Sequence, residues 1–168
     1  VATLDEAIVL KSENIEKPIL VLGCVFPDQY LEMLKHNIRM NVYTEEMAEA
    51  ISQMATREGM TAYMHIKLDT GMTRLGFDIS KESVSAISRI AALPNVCMEG
   101  IFTHFACADM KDKTFTENQK KKFLQFTDNL IDEGYSLPIR HMYNSASVLD
   151  LDGYSGEMVR CGIMAYGL

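Results

Sequence analysis

His65-Ile66-Lys67-Leu68-Asp69-Thr70-Gly71-Met72-Thr73-Arg74-Leu75-Gly76-Phe77 reads as a strand that runs into a glycine-punctuated turn carrying an arginine. From Ala62 on, Ala62, Met64, Ile66 and Leu68 take one face, and Tyr63, His65, Lys67 and Asp69 take the other. On an antiparallel edge strand such a polar row is merely solvated. In a parallel sheet covered on both faces the same row is buried, and its charges must be paired and commonly have a task. The neighbouring sequence distinguishes the two.

Upstream, residues 19–23 form a short apolar run after Pro18, and residues 38–43 form a second. Downstream, residues 96–105, 139–143 and 158–166 read as further strands. Helices fall between them. Thr3 and Glu6 make a capping box ahead of a stripe of Leu4, Ala7, Ile8 and Leu10. Residues 28–36 predict a second helix, and Thr44 caps a third that Gly59 stops. Residues 80–93 and 116–133 predict two more, the latter with a solvated Lys120-Lys121-Lys122 face, and residues 145–149 a short one. Unbroken alternation of strand and helix argues for a parallel α/β sheet with helical crossovers. Six strands without a GxGxxG after the first favour a TIM (β/α)8 barrel over a dinucleotide-binding sheet. A full barrel takes about 250 residues, so 168 residues predict a partial one, forming a single domain over 1–168.

Bulk properties restrict function. The chain is 48% hydrophobic and 23% charged, which suits a globular core. A net charge of −7 argues against a nucleic-acid partner. No apolar run reaches the roughly 20 residues of a membrane span, and the first residues lack signal-peptide features. With no initiator methionine, the chain is expected to start partway into a longer one. Cys24, Cys97, Cys107 and Cys161 show no zinc or redox spacing, so free buried thiols, no metal and a cytoplasmic setting are expected.

Active sites of such barrels gather at the C-terminal ends of the strands. There the sequence places Asp69 and Arg74, then Thr103-His104, then Asn144-Ser145, then Arg160-Cys161-Gly162. Asn144 and Ser145 open a short helix whose N–H groups suit an anion, and Gly162 allows close backbone approach. Each also has an ordinary reading. Asn144 and Ser145 serve equally as caps, Asp69-Thr70-Gly71 as a plain turn, and His65, His104 and His141 as core histidines. The conjunction carries the weight.

These motifs resemble those of the alanine racemases, enzymes of fold type III that use pyridoxal 5'-phosphate (PLP). The similarity lies in 65–76, in Gly100-Ile101-Phe102-Thr103-His104-Phe105-Ala106-Cys107-Ala108-Asp109, in Asn144-Ser145-Ala146, in Met158-Val159-Arg160-Cys161-Gly162-Ile163 and in Tyr166-Gly167-Leu168, in the family's order. The resemblance implies that Arg160 faces the pyridine nitrogen and keeps it unprotonated, and that His104 packs on the ring. It implies a phosphate held by Ser145, Asn144 and the backbone at Gly162 and Ile163, with Tyr166 a weaker contributor. Arg74 would reach the phenolic oxygen and help position the substrate carboxylate. Lys67, which an in-barrel position would nominate as the cofactor-linking lysine, is instead implied to be a structural residue and a carbamylation candidate paired with Arg74.

The same likeness implies a homodimeric parent that racemises alanine by moving the α-proton between two faces and supplies D-alanine for peptidoglycan. It places the cofactor lysine on a preceding strand and the second base, a tyrosine, on a C-terminal β domain of the partner. This stretch alone is therefore expected to be inactive. Other readings stay open: a serine or broad-specificity racemase of the same fold, including the membrane-tethered vancomycin-resistance type, a non-catalytic PLP carrier, or a partial fold without ligand.

Overall fold

The computed structural model describes residues 1–153 and 156–167. The order of elements is α1 (Leu4–Ser12), β1 (Leu20–Val21), a 3-10 turn (Pro27–Gln29), α2 (Tyr30–Lys35), β2 (Arg39–Val42), α3 (Glu45–Glu58) and β3 (Ala62–Lys67). Then follow α4 (Lys81–Ala91), β4 (Val96–Phe102), α5 (Thr114–Asp132), β5 (Ile139–His141), α6 (Ser145–Asp150) and a second 3-10 turn (Ile163–Tyr166). The strands form one sheet in chain order, β1-β2-β3-β4-β5. The β1–β2, β2–β3 and β4–β5 pairs are parallel. That is the arrangement the alternation predicted.

The chain divides into two compact units. The first comprises Val1–Ile66 and Val84–Glu99. Its helices start where the sequence signals them. The Thr3 hydroxyl accepts from Glu6 N and the Glu6 carboxylate accepts from Ala2 and Thr3 N. Thr44 caps α3 through Met47 N, and Gly59 ends it in the left-handed region at φ 65°. Met40, Val42, Met64 and Ile66 are fully buried, as are Ala48, Ile51 and Ala55 on α3. Each large side chain so buried contributes about 1.5–3 kcal/mol before entropy is counted.

The polar row of β3 is buried too. Arg39 forks onto Glu99 at 3.0 Å through both Nε and Nη2, and His65 Nε2 lies 3.2 Å from Glu99 Oε2. The Arg39 guanidinium also stacks over Tyr63, 4.4 Å from the ring centroid. Arg39, Glu99 and His65 are thus paired with one another, as the two-sided reading of the strand requires.

The second unit comprises Lys67–Ser83 and Gly100–Leu168. β4 and β5 run in register as Gly100↔Ile139, Ile101↔Arg140 and Phe102↔His141. Past Lys67 the chain closes a loop onto its own strand end. Asp69 N donates to Phe77 O at 2.7 Å and Phe77 N donates to Lys67 O at 2.9 Å. Inside that loop Asp69 accepts the N–H groups of Gly71, Thr73 and Arg74, an Asx-type turn that fixes where the Arg74 side chain starts.

Three expectations are corrected. Residues 158–166 are not a strand. Glu157 N and Arg160 N donate to Arg140 O and Tyr143 O at one register, but two such bonds do not extend into a ladder, and the segment turns into the second 3-10 turn. The helix predicted over 28–36 is split, because Pro27 opens a 3-10 turn before α2 begins at Tyr30. The free thiols are not buried: Cys24 and Cys161 are exposed, and Cys97 and Cys107 half-buried. Leu168, the last residue of the Tyr166-Gly167-Leu168 motif, lies outside the described residues. No helix among the described residues is long and apolar enough to cross a membrane.

Candidate active site

The second unit holds every residue nominated for the site. Arg160 is its centre. The guanidinium is half-buried and lies 5.3 Å from the Phe102 ring centroid. Nη2 donates to Thr103 O at 2.7 Å and to Met142 O at 3.3 Å, while Nη1 meets His141 Nδ1 at 2.6 Å. An arginine only donates, so His141 accepts at Nδ1 and carries its ring proton on Nε2. His141 in turn stacks on Phe102, with centroids 4.6 Å apart and planes 5° off parallel. Burial pulls the Arg160 pKa down to about 10, which leaves it cationic at neutral pH.

His104 lies beside it, with Nδ1 3.5 Å from Arg160 Nη2. Burial first, then the charges of Arg160, Arg74 and Lys67, lower the His104 pKa to about 4. Its imidazole is therefore neutral at pH 7. The folded value lies below the ordinary 6.5, so the unfolded chain takes up the proton first. The contribution of His104 to stability is present in full above about pH 6.5 and lost as pH falls through 4. Replacing His104 by Gln is expected to flatten the decline in urea midpoint between those two pH values. An equal slope in the variant and the wild type would mean that other groups carry it.

Lys67 is buried on β3, and its Nζ donates to Leu68 O at 2.6 Å. Burial lowers its pKa to about 8; Asp69 opposes this, and Arg160 and Arg74 add to it. For Asp69 the balance runs the other way. Burial pushes its carboxyl pKa up, but the three backbone N–H donors of its turn and Lys67 hold it below the ordinary value. Arg74 is exposed at the rim of this group. Among the described residues, Lys67, Arg74 and Arg160 form no ion pair with a carboxylate. The Asp69 carboxylate acts on Lys67 without an ion pair, so the three cations face less counter-charge than they carry, which is costly.

Next to the cations stands the start of α6. Asn144 behaves as the cap it also predicted: its Oδ1 accepts from Ser147 N at 3.1 Å and its Nδ2 donates to Phe105 O. Ser145 Oγ accepts from Gly162 N at 3.0 Å and from Met164 N at 3.3 Å, which brings two separate motifs together. The side chains of Ile163 and Tyr166 are 59% and 86% exposed, outside this cluster.

Sequence reasoning read His141 as core or structural, and it is fully buried, but its contact with Arg160 was not foreseen. A signal existed, since a histidine at the C-terminal end of a parallel strand is where such sites draw their residues. Its partner Arg160, nineteen positions on, is not inferable from local spacing.

Parallel strands with helical crossovers, carrying a cationic cluster and the start of α6 beyond their C-terminal ends, define a β/α protein. The family model "Alanine racemase, N-terminal domain" matches residues 1–168. The chain belongs to that family. It is 46% identical to the alanine racemase of Clostridium tetani, over 99% of this chain and 43% of the relative. It is 44% identical to that of Methanococcus maripaludis, over 100% and 45%. Among solved structures, the alanine racemase of Clostridium difficile 630 in complex with cycloserine superposes at a TM-score of 0.96 with 38% identity, over 99% of this chain and 46% of that one. A histidine racemase from Leuconostoc mesenteroides superposes at 0.89 with 27% identity, over 99% and 44%. The fold is thus that of the alanine racemase N-terminal domain, a part of a (β/α)8 barrel. The chain spans less than half the length of these relatives.

Proposed function

We propose that this chain supplies the cofactor-holding barrel of an alanine racemase that interconverts L- and D-alanine with PLP. One observation carries the reading: among the described residues the Arg160 guanidinium is bound by neutral acceptors, in a cluster where the cations Arg160, Arg74 and Lys67 outnumber the carboxylate of Asp69. The donor set fits the cofactor. Arg160 offers hydrogen bonds but takes no proton, so a ring nitrogen facing it stays unprotonated. His104, neutral, packs on a ring without competing for the phosphate. Ser145 and the backbone of Gly162 and Ile163 would hold the phosphate, with Asn144 as their support and Tyr166 at the edge. Arg74 reaches in from its loop toward the substrate carboxylate. The bound cofactor supplies an electron sink that acidifies the substrate α-carbon.

Lys67 is assigned a structural role. With its pKa near 8, part of the amine is neutral at physiological pH and open to carbamylation, which would give Arg74 an anionic partner. An added mass of one carbon dioxide on the Lys67 peptide, from protein kept in bicarbonate, is the check; unmodified lysine there would remove the carbamate.

The proposal extends to a cytoplasmic homodimer feeding D-alanine to peptidoglycan. The full-length protein, loaded with PLP, is expected to racemise L-alanine in preference to L-serine and L-histidine. Cofactor binding without racemisation would favour a PLP carrier, and faster turnover of serine or histidine would reassign the substrate.

A further inference from the structure

α5 contributes one residue to the interior of the second unit that neither the site motifs nor the cofactor reading uses. Gln119 is 1% exposed, although it lies on a helix whose outer face is lysine-rich. Its carboxamide makes three bonds. Oε1 accepts from Ala106 N at 2.9 Å, and Nε2 donates to His104 O at 3.2 Å and to Thr70 Oγ1 at 3.1 Å. The orientation is dictated by the partners, because a backbone N–H can only donate and a carbonyl can only accept.

The chain of bonds continues in one direction. Thr103 Oγ1 donates its single hydrogen to Leu68 O at 3.0 Å, so the 2.8 Å contact between the two threonine hydroxyls has Thr70 as donor. Thr70 Oγ1 is then the acceptor for Gln119. Every member is buried, Thr70 to 2% and Thr103 to 0% exposure. The run Gln119→Thr70→Thr103→Leu68 O ends on the carbonyl that also receives Lys67 Nζ. Thr103 O, on the same residue, receives Arg160 Nη2. A separate contact points the same way: a Cβ added to Gly71 would meet Phe115 Cζ at 3.0 Å and Gln119 Cγ at 3.8 Å, so α5 lies directly over this turn.

We propose that Gln119 is a positioning residue. Its one carboxamide ties the turn that carries Arg74 to the strand end that presents His104 and anchors Arg160, and so sets the distance between the two halves of the cationic cluster. The inference rests on the racemase reading for its kinetic consequence but not for its geometry.

The test uses the full-length protein with PLP. Gln119→Met keeps the volume and removes all three bonds. Gln119→Glu keeps the acceptor for Ala106 N and lacks the donor for Thr70 and His104 O unless its carboxyl is protonated. Gln119→Met is expected to speed amide hydrogen exchange at Ala106 and over 70–74, and to lower kcat about 10- to 100-fold, the cost of misplacing reacting groups by about an ångström. Gln119→Glu should keep Ala106 protected, loosen 70–74, and gain activity relative to wild type as pH is lowered. Thr70→Val leaves α5 intact and should loosen 70–74 in the same way, so the idea survives a Gln119 variant that fails to fold. Unchanged exchange over 70–74 in Gln119→Met or Thr70→Val, or unchanged kcat in both Gln119 variants, would overturn it. Absence of racemisation in the wild type would instead overturn the function, while the exchange data still decide the role of Gln119.

Discussion

Arg160→Glu in the full-length, cofactor-loaded protein is expected to cut racemisation on the order of 10²- to 10³-fold, as does removal of a preorganised electrostatic donor elsewhere. Arg160 sits among Thr103 O, Met142 O and His141 Nδ1, three acceptors within 3.3 Å. A carboxylate there meets acceptors alone, and the three groups lose their donor, which costs about 1–3 kcal/mol for each that stays buried. The charge change also travels. Arg160 is the leading charged neighbour depressing the His104 pKa, so an anion in its place should move the His104 titration up from about 4. Three readouts follow: racemisation rate, the absorbance of the protein-bound cofactor, and the His104 imidazole titration by NMR. Arg160→Lys keeps the charge without the fork, and should fall between variant and wild type. If the cofactor spectrum and the rate are both unchanged in Arg160→Glu, this arginine does not face the ring nitrogen.

What was legible in the sequence is what local chemistry fixes. Thr3 with Glu6, Thr44 and Gly59 mark helix ends because the groups they satisfy lie within four residues. The alternation from Ala62 is visible because burial on a strand has a period of two, and it correctly put His65 and Lys67 inside. Asp69 announced its turn for the same reason. What was not legible depends on distant partners. A glutamine on a helix rich in lysine reads as solvent-facing, and only the Thr70, His104 and Ala106 groups it meets show Gln119 to be interior. His141 gains a functional neighbour only through Arg160. The apolar residues at 158–166 suggested a strand, yet a strand is defined by its ladder, and the sequence does not encode how many bonds the segment makes to β5. Cation clustering was foreseeable as a list of residues, but that Asp69 acts on Lys67 without closing an ion pair depends on distances no local pattern fixes.

Gly76→Ala is expected to destabilise the protein by about 3 kcal/mol, combining an unfavourable backbone region for an L residue with the loss of two backbone hydrogen bonds of about 1 kcal/mol each. Gly76 has φ 128°, and an added Cβ would lie 2.7 Å from Asp69 N, 2.8 Å from Leu68 C and 2.9 Å from Lys67 O. All three are backbone atoms, so no side chain can swing aside. Asp69 N and Lys67 O are also the atoms that close the loop, through Asp69 N to Phe77 O and Phe77 N to Lys67 O. The methyl group must therefore open that closure, which frees the turn bearing Arg74 and the carbonyl end of β3 beside Lys67. Gly59→Ala is the control: φ is 65° with nothing within 4 Å, so only the backbone preference is lost, about 1 kcal/mol. The two are compared by urea midpoint and by amide exchange at Asp69 and Phe77. Faster exchange at those two amides in Gly76→Ala alone places the effect in the loop closure; equal destabilisation by both substitutions would mean that the steric clash is absorbed and that Gly76 is needed for φ only.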